Sequence, residues 1–286
     1  MSQPRSSQRL KVKGKEAEKR LLEAIEELVR EHPRFGSRKV TDCLRLSGWA
    51  VNYKRIHRLW KREGYRVPKA KKKKRVAGVA SNACDKRRSE SMNDVWTWDF
   101  IFDRLEDGRQ LKVLTVTDEY TRESLAIEVG CSFNGEQVME VLREICRERG
   151  VPGHIRSDNG SEFIGGQIKR WLATAGAEGL YIEGGAPWQN GYAESFNSRF
   201  RDECLNMNLF HTVKEAREIM KSWQKQYNEK RPHNSLGGLT PRMFAAQCLA
   251  GDGPPLRSAP SPAKPNRNPY HSRKGITLKT LIQTGT

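Results

Sequence analysis

The chain has 286 residues, 36% of them hydrophobic, with 52 Lys or Arg against 34 Asp or Glu, a formal net charge of +18. That length accommodates a small domain plus one of ordinary size; no apolar run of about 18 residues exists to span a membrane, and the polar, basic N-terminus is no secretory signal, so a cytoplasmic protein without a membrane partner is expected. The six cysteines, at 43, 84, 131, 146, 204 and 248, form no CxxC pair, which argues against a structural zinc site or a disulfide framework and for buried small apolar side chains.

The charge is unevenly placed. Residues 1–80 hold 24 Lys or Arg and 8 Asp or Glu, and the remaining residues hold 28 and 26. A basic segment beside a near-neutral one implies a nucleic-acid-binding part joined to a separate working part. Residues 1–16 are polar and Lys-rich and are expected to form a disordered basic arm. Residues 17–31 place Leu21, Leu22, Ile25, Leu28 and Val29 at helical spacing, and His32-Pro33 ends that helix. A second helix is expected from Ser37, as its cap, to Leu46. Asn52 reads as the N-cap of a third, with Ile56, Leu59 and Trp60 as its apolar stripe and Lys54, Arg55, Arg58, Lys61 and Arg62 on the other side. Two short helices about a Gly turn, the second crowded with cations, predict a helix-turn-helix-like DNA-binding domain over 17–66; an ordinary helical hairpin with a solvated basic face is the plainer alternative. Residues 67–92, with the run Lys71 to Lys74, read as a basic linker that tracks phosphates or serves only as a solvated tether.

From 93 the texture changes. The segments VWTWDFIFD, LKVLTVTD and SLAIEV predict a three-strand meander. A helix follows over 135–149, then the short strand HIRSD, a helix over 166–175, a strand LYIEG, and helices over 190–207 and 213–229. Strands then alternating helix and strand imply a mixed α/β sheet with helices on its faces, over 93–249. Residues 250–286 are a Pro- and Gly-rich tail in which 275–282 is a candidate short strand.

Three acids stand where an acid is otherwise costly. Asp99 interrupts the aromatic run Val95 to Phe102, a conflict with the strand pattern of the kind expected at functional sites. Asp158 ends HIRSD and opens a tight turn with Asn159 and Gly160; ligand sites of open α/β sheets gather at the C-terminal ends of strands, although Asp-Asn-Gly is also an everyday turn. Glu194 opens a helix in APWQNGYAESFNSRFRDE, with Arg201 two turns on and on the same face; an exposed Glu–Arg pair of little consequence is the plainer alternative. Carboxylates suit hard divalent cations, and two Mg²⁺ about 3.5–4 Å apart support phosphodiester cleavage and transfer. Trp188, Gln189 and Asn190 precede the Glu194 helix as candidate DNA contacts, or as residues that only pack or cap. Asp118 and Arg122 read as a structural turn pair, and Arg231 to Asn234 as a fixed loop against the core, with a catalytic role for His233 not required by this chemistry.

WTWDFIFD, RSDNGSEF and PWQNGYAESFNSRFRDE together resemble the catalytic core of the retroviral integrase and bacterial transposase superfamily. Thirty-five residues separate Asp158 from Glu194, the spacing typical of the integrase branch, and Arg201 fills the basic position seven after the Glu. EHPRFGSRKV and YNEKRPHNSLGGLTPRMF resemble segments of the orfB-type transposases of the insertion-sequence-three family. The resemblance runs from about 22 to 246. It implies a ribonuclease H-like fold, with Asp99, Asp158 and Glu194 as catalytic residues holding two Mg²⁺ for which Mn²⁺ can substitute. It further implies cleavage at terminal inverted repeats and strand transfer into target DNA, in a bacterial, nucleoid-associated protein. It implies double-stranded DNA as partner, a homo-oligomer on DNA, and an orfA-type partner or fusion, because the chain lacks an obvious heptad zipper. The rival readings are a catalytically inactive DNA-binding remnant or regulator, disfavoured by the presence of all three acids and Arg201, and a ribonuclease H-type nuclease without joining activity.

Overall fold

Helix-forming residues without an apolar stripe still make a helix here. The computed structural model describes residues 5–68, 87–157, 166–181 and 190–251, and its first helix, α1 (Arg5–Glu31), begins twelve residues before the expected start at 17. Residues 5–16, expected to belong to a disordered arm, are thus helical. Their Arg, Gln, Lys and Glu side chains carry good helix propensity, and backbone hydrogen bonding along a helix needs no buried face. Helix α2 (Ser37–Leu46) has Gly36, not Ser37, as its N-cap; the Ser37 hydroxyl instead lies 3.2 Å from His57 Nδ1 of α3. In α3 (Tyr53–Arg62), Asn52 caps as expected, its side-chain oxygen accepting from Lys54 N at 2.9 Å. Leu21, Ile25, Phe35, Val40, Leu44, Ile56, Leu59 and Trp60 close a small core of their own.

The second part is a five-stranded sheet. Strands β1 (Val95–Arg104), β2 (Gln110–Asp118) and β3 (Ser124–Gly130) form the antiparallel meander, and β4 (His154–Ser157) and β5 (Glu178–Tyr181) add parallel to β1 in the order β3-β2-β1-β4-β5. Helix α4 (Gly135–Arg149) starts at a capping box in which Asn134 and Gln137 bond reciprocally. It is followed by α5 (Gly166–Ala175), α6 (Gly191–Glu203), α7 (Val213–Glu229) and α8 (Pro241–Leu249). Strand β5 begins two residues before the expected LYIEG, whose last three residues lie outside the described residues. The helix expected over 190–207 ends at Glu203 and gives way to a 3-10 turn, Leu205–Met207. The expected strand at 275–282 and most of the basic linker also lie outside the described residues.

Strand alternation sorts two cores onto the two faces. Trp96, Trp98, Leu114, Val116 and Ile155 pack against α4 and α5. Ile101, Leu111, Val113, Ile127 and Val129 pack against Phe196 and Phe200 of α6 and Met220, Trp223 and Tyr227 of α7. The odd-numbered residues of β1, Asp99 among them, therefore face α6. Among the cysteines, Cys43 and Cys204 are buried, which pushes their thiols up to about 11 and about 12; Cys131 is exposed and Cys146 and Cys248 are partly so, against the expectation of uniform burial. Among the described residues, no helix is long and apolar enough to cross a membrane.

Candidate active site

Asp99 lies on β1, opposite Thr115 of β2 in the antiparallel register. Both of its carboxylate oxygens are engaged: Oδ1 accepts from Phe100 N at 2.8 Å and Oδ2 accepts from Asn197 Nδ2 at 2.5 Å. The Thr115 hydroxyl, 2% exposed, lies 3.2 Å from Asp99 O and 3.3 Å from Asn197 Oδ1. Asn197 is thus held by a strand on which Asp99 does not lie, and holds Asp99 in turn. One turn below the site, Thr97 donates to Asn190 Oδ1 at 2.8 Å in a buried contact.

Helix α6 runs along β1 through these contacts. Ala193, Phe196 and Phe200 are its buried stripe. At 3.6 residues per turn, Glu194, Asn197 and Arg201 form the edge beside that stripe which meets β1. Asn197 Nδ2 reaches Asp99, and Arg201 Nη2 donates to Phe102 O at 3.2 Å. Glu194 sits in the first turn of α6 and is exposed; the partial positive charge of a helix N-terminus favours a carboxylate there. The opposite edge carries Tyr192, Ser195 and Arg199. There the Arg122 guanidinium lies 3.9 Å from the Tyr192 ring centre, and Arg199 donates to Ser195 O at 2.6 Å.

The structure thus brings the Glu194 helix onto the Asp99 strand. Asp158, Asn159, Gly160, Trp188 and Gln189 lie outside the described residues. Asn190, expected to contact DNA or to pack or cap, is 6% exposed and bonded to Thr97: an amide at the start of a helix that crosses a sheet turns inward when a buried hydroxyl needs a partner. Among the basic residues of α3, Lys54, Arg58 and Lys61 are exposed and Arg55 is partly buried, whereas Arg62 is held by Glu18 at 2.6 Å and Glu63 at 2.9 Å. Asp118 and Arg122 do share a turn, but not as a side-chain pair. Asp118 accepts from the backbone N–H groups of Asn93, Tyr120 and Thr121, while Arg122, in the left-handed region at φ 64°, reaches α6. His233 is buried against Tyr227 and Arg231, where burial and the nearby Arg231 hold its imidazole well below the usual range. Asn197 and Thr115 escaped the sequence reading; the signal that could have found Asn197 is its place three residues after Glu194 on one helix edge.

Among the described residues, no three His, Cys, Asp or Glu side chains form a metal-ligand group. Two of the three expected acids, Asp99 and Glu194, are described; both offer oxygen, the donor that a hard divalent cation takes.

Residues 16–74 match the model of an HTH-like domain, and residues 89–187 and 175–241 match models of an integrase core domain. The chain is 42% identical over 220 residues to the insertion element IS476 uncharacterized 39.2 kDa protein of Xanthomonas euvesicatoria, covering 77% of this chain and 63% of that one. It is 38% identical over 227 residues to the insertion element IS407 uncharacterized 31.7 kDa protein of Burkholderia multivorans, covering 79% and 81%. It is 24% identical over 238 residues to transposase InsF for insertion sequence IS3A of Escherichia coli, covering 77% and 80%.

The chain belongs to the orfB-type transposases of the insertion-sequence-three family.

In this orfB-type transposase the sheet order and the helices on both faces are those of a ribonuclease H-like integrase core, preceded by a helix-turn-helix-like region. The match to the integrase-core models begins just before β1 and ends at the start of α8. It therefore takes in both Asp99 and the α6 edge that carries Glu194, Asn197 and Arg201.

Proposed function

We propose that this protein is an insertion-sequence transposase that cleaves DNA at the terminal inverted repeats of its element and joins the freed 3′ ends to target DNA. In this reading Asp99, Asp158 and Glu194 are the catalytic carboxylates and the ligands of two Mg²⁺, with Mn²⁺ able to substitute. The observation that carries it is the hydrogen bond from Asn197 to Asp99, which ties the Glu194 helix to the Asp99 strand. A second observation supports Asp158. Strand β4 pairs with β1 in parallel so that Val95 meets His154 and Thr97 meets Arg156, each partner 59 positions later; Asp158 stands 59 positions after Asp99.

Bound divalent cations would neutralise charge on the scissile phosphate and favour the ionised form of the attacking water or 3′-hydroxyl. The chain's own residues supply position and charge. Asn197 and the Phe100 amide fix the Asp99 carboxylate, so little reorganisation is left for the reaction itself. Arg201, anchored on β1 beside the acids, places a cation where a DNA phosphate would lie. Residues 17–66 act as the DNA-binding domain, with Lys54, Arg58 and Lys61 on phosphates, and 93–249 as the catalytic domain. Phosphoryl transfer needs no covalent protein intermediate when positioning and electrostatics suffice. The partners are double-stranded DNA, further copies of the chain on that DNA, and an orfA-type product; the relationship to a protein named as a transposase for an insertion sequence supports the DNA partner.

The test is strand cleavage and joining on DNA carrying the element's ends, with Mg²⁺ or Mn²⁺, with and without the orfA-type product. The wild type cuts and joins; Glu194→Gln binds the same DNA and does neither. DNA binding without metal-dependent chemistry in every arm would make the chain a DNA-binding regulator instead.

A further inference from the structure

Two sequence segments stand apart from the three acids, EHPRFGSRKV before the sheet and YNEKRPHNSLGGLTPRMF at the end of the core. In the structure they meet. The N-terminal helices and the sheet belong to one compact unit. Lys230 Nζ lies 3.1 Å from Glu31 Oε1 although 199 positions separate the two residues. Pro33 forbids continuation of α1 and turns the chain so that Arg34 bonds Asp202 on the last turn of α6. The Phe35 ring, 5% exposed, stacks on His32 at 4.3 Å. Lys39 Nζ lies 5.1 Å and the Arg231 guanidinium 5.9 Å from its centre. Arg231 is itself fixed by two bonds to Glu203, at 2.7 and 2.5 Å. A cavity of about 290 Å³ remains in this seam, lined by Pro33, Phe35, Met207, Trp223, Tyr227 and Arg231 among others.

Contacts between domains of one chain resemble transient interfaces, and relative motion is the default unless something holds them. Here the partly buried pair Arg34–Asp202, the exposed pair Lys230–Glu31 and the Phe35 ring do so, and such pairs select a geometry more than they add adhesion. Their location matters as much as their strength. Asp202 and Glu203 directly follow Arg201 on the helix that carries Glu194. The part of the chain that bears the exposed cations of α3 is therefore bolted to the helix that bears an acid of the site.

We propose that Arg34, Phe35 and Asp202 are positioning residues. They clasp the helical module to the end of α6 in one orientation and so decide which phosphodiester of module-bound DNA faces Asp99 and Glu194. This rests on the DNA chemistry proposed above.

The test is a charge-reversal cycle in the full chain, Arg34→Asp, Asp202→Arg and the two combined, on duplex DNA carrying the element's end with the orfA-type product present. Hydroxyl-radical footprinting reads where module and core lie along the duplex without needing strand cleavage by the protein. Each single reversal keeps the block protected by the module and loses or shifts the block protected by the core, and the combined variant restores both. With Mg²⁺, cleavage by the single variants spreads to neighbouring phosphodiesters and kcat falls while KM holds. If a reversal unfolds the module, its own protected block vanishes too; Phe35→Leu, which removes the ring and keeps an apolar side chain, then carries the same comparison. Unchanged footprints in the folded variants, or no restoration in the combined one, overturn the clasp. A wild type that footprints but never cleaves overturns the transposase reading instead, and the footprint cycle still judges the clasp.

Discussion

Asn197 Nδ2 lies 2.5 Å from Asp99 Oδ2, so an amide of the Glu194 helix orients the carboxylate of the central strand. Outer partners of a metal-binding carboxylate typically matter by about 10–100-fold in activity or metal affinity. Asn197→Ala is therefore expected to lower single-turnover cleavage by about that factor, with DNA affinity unchanged. Asn197→Asp, which sets a second negative charge against Asp99, is expected to lower it further. A wild-type rate in Asn197→Ala, measured at saturating Mg²⁺, would remove Asn197 from this role.

Binding to duplex DNA is expected to weaken with salt, and the residues of α3 should not contribute equally. Lys54, Arg58 and Lys61 are exposed, whereas Arg62 already has Glu18 and Glu63 as partners. Removing one cation from a DNA phosphate reduces the slope of log K against log salt by about 0.9. Lys61→Ala and Arg58→Ala should each show that change, and Arg62→Ala a smaller one. Equal slopes for Arg62→Ala and Lys61→Ala would mean that Arg62 leaves its carboxylates for DNA.

The clasp should tighten as pH rises. Burial, with Arg231 and Arg199 nearby, pushes the Lys39 amine down from its ordinary 10.5 to about 7, and Glu203 and the Cys43 thiol offset only part of this. Between pH 7 and 10.5 the clasped form has lost a proton that a solvated Lys39 keeps, so separation takes up a proton and is favoured as pH falls through that window. Burial also lowers His32 and His233. Below about pH 6.5 the unfolded chain protonates them first, a second loss of stability on the acid side. Thermal unfolding followed from pH 6 to 9 should show a rising midpoint, and Lys39→Met should flatten the rise above pH 7. A midpoint independent of pH in the wild type contradicts this account.

Asp118 is 1% exposed and accepts three backbone N–H groups, from Asn93 at 2.7 Å and from Tyr120 and Thr121 at 2.8 Å. Removing the carboxylate strands two donors in the turn that joins β2 to β3 and one just before β1. Asp118→Ala is expected to cost about 3 kcal/mol or more, read as a lower urea midpoint at constant m-value. Asp118→Asn, which keeps one acceptor oxygen, should cost less. A neutral Asp118→Ala would show that water replaces the carboxylate.

Elements set by local periodicity were readable from the chain. The bounds of α4 and α7 follow from their apolar spacing, and the meander from its aromatic and β-branched runs and their turns. The early start of α1 was not readable that way, because the sequence of residues 5–16 carries no apolar stripe at helical spacing. Gly36 displaced Ser37 as a cap because the Ser37 hydroxyl found a partner on another helix. Asn190 looked like a surface residue beside Gln189 until a buried Thr97 took its side chain.

The chain by itself determined which residues can carry charge chemistry. An acid inside an aromatic strand and an acid two turns before an arginine are anomalies of composition and spacing, visible without coordinates. Only the tertiary structure decided what those residues touch. The Asn197 bond to Asp99, the stacking of Arg122 on Tyr192 and the clasp of Arg34 on Asp202 each join positions far apart in sequence. Such contacts are set by the register of β1 against β2 and by the rotation of α6 about its axis, and a periodicity of 2 or 3.6 residues says which face a residue occupies but not what stands opposite it.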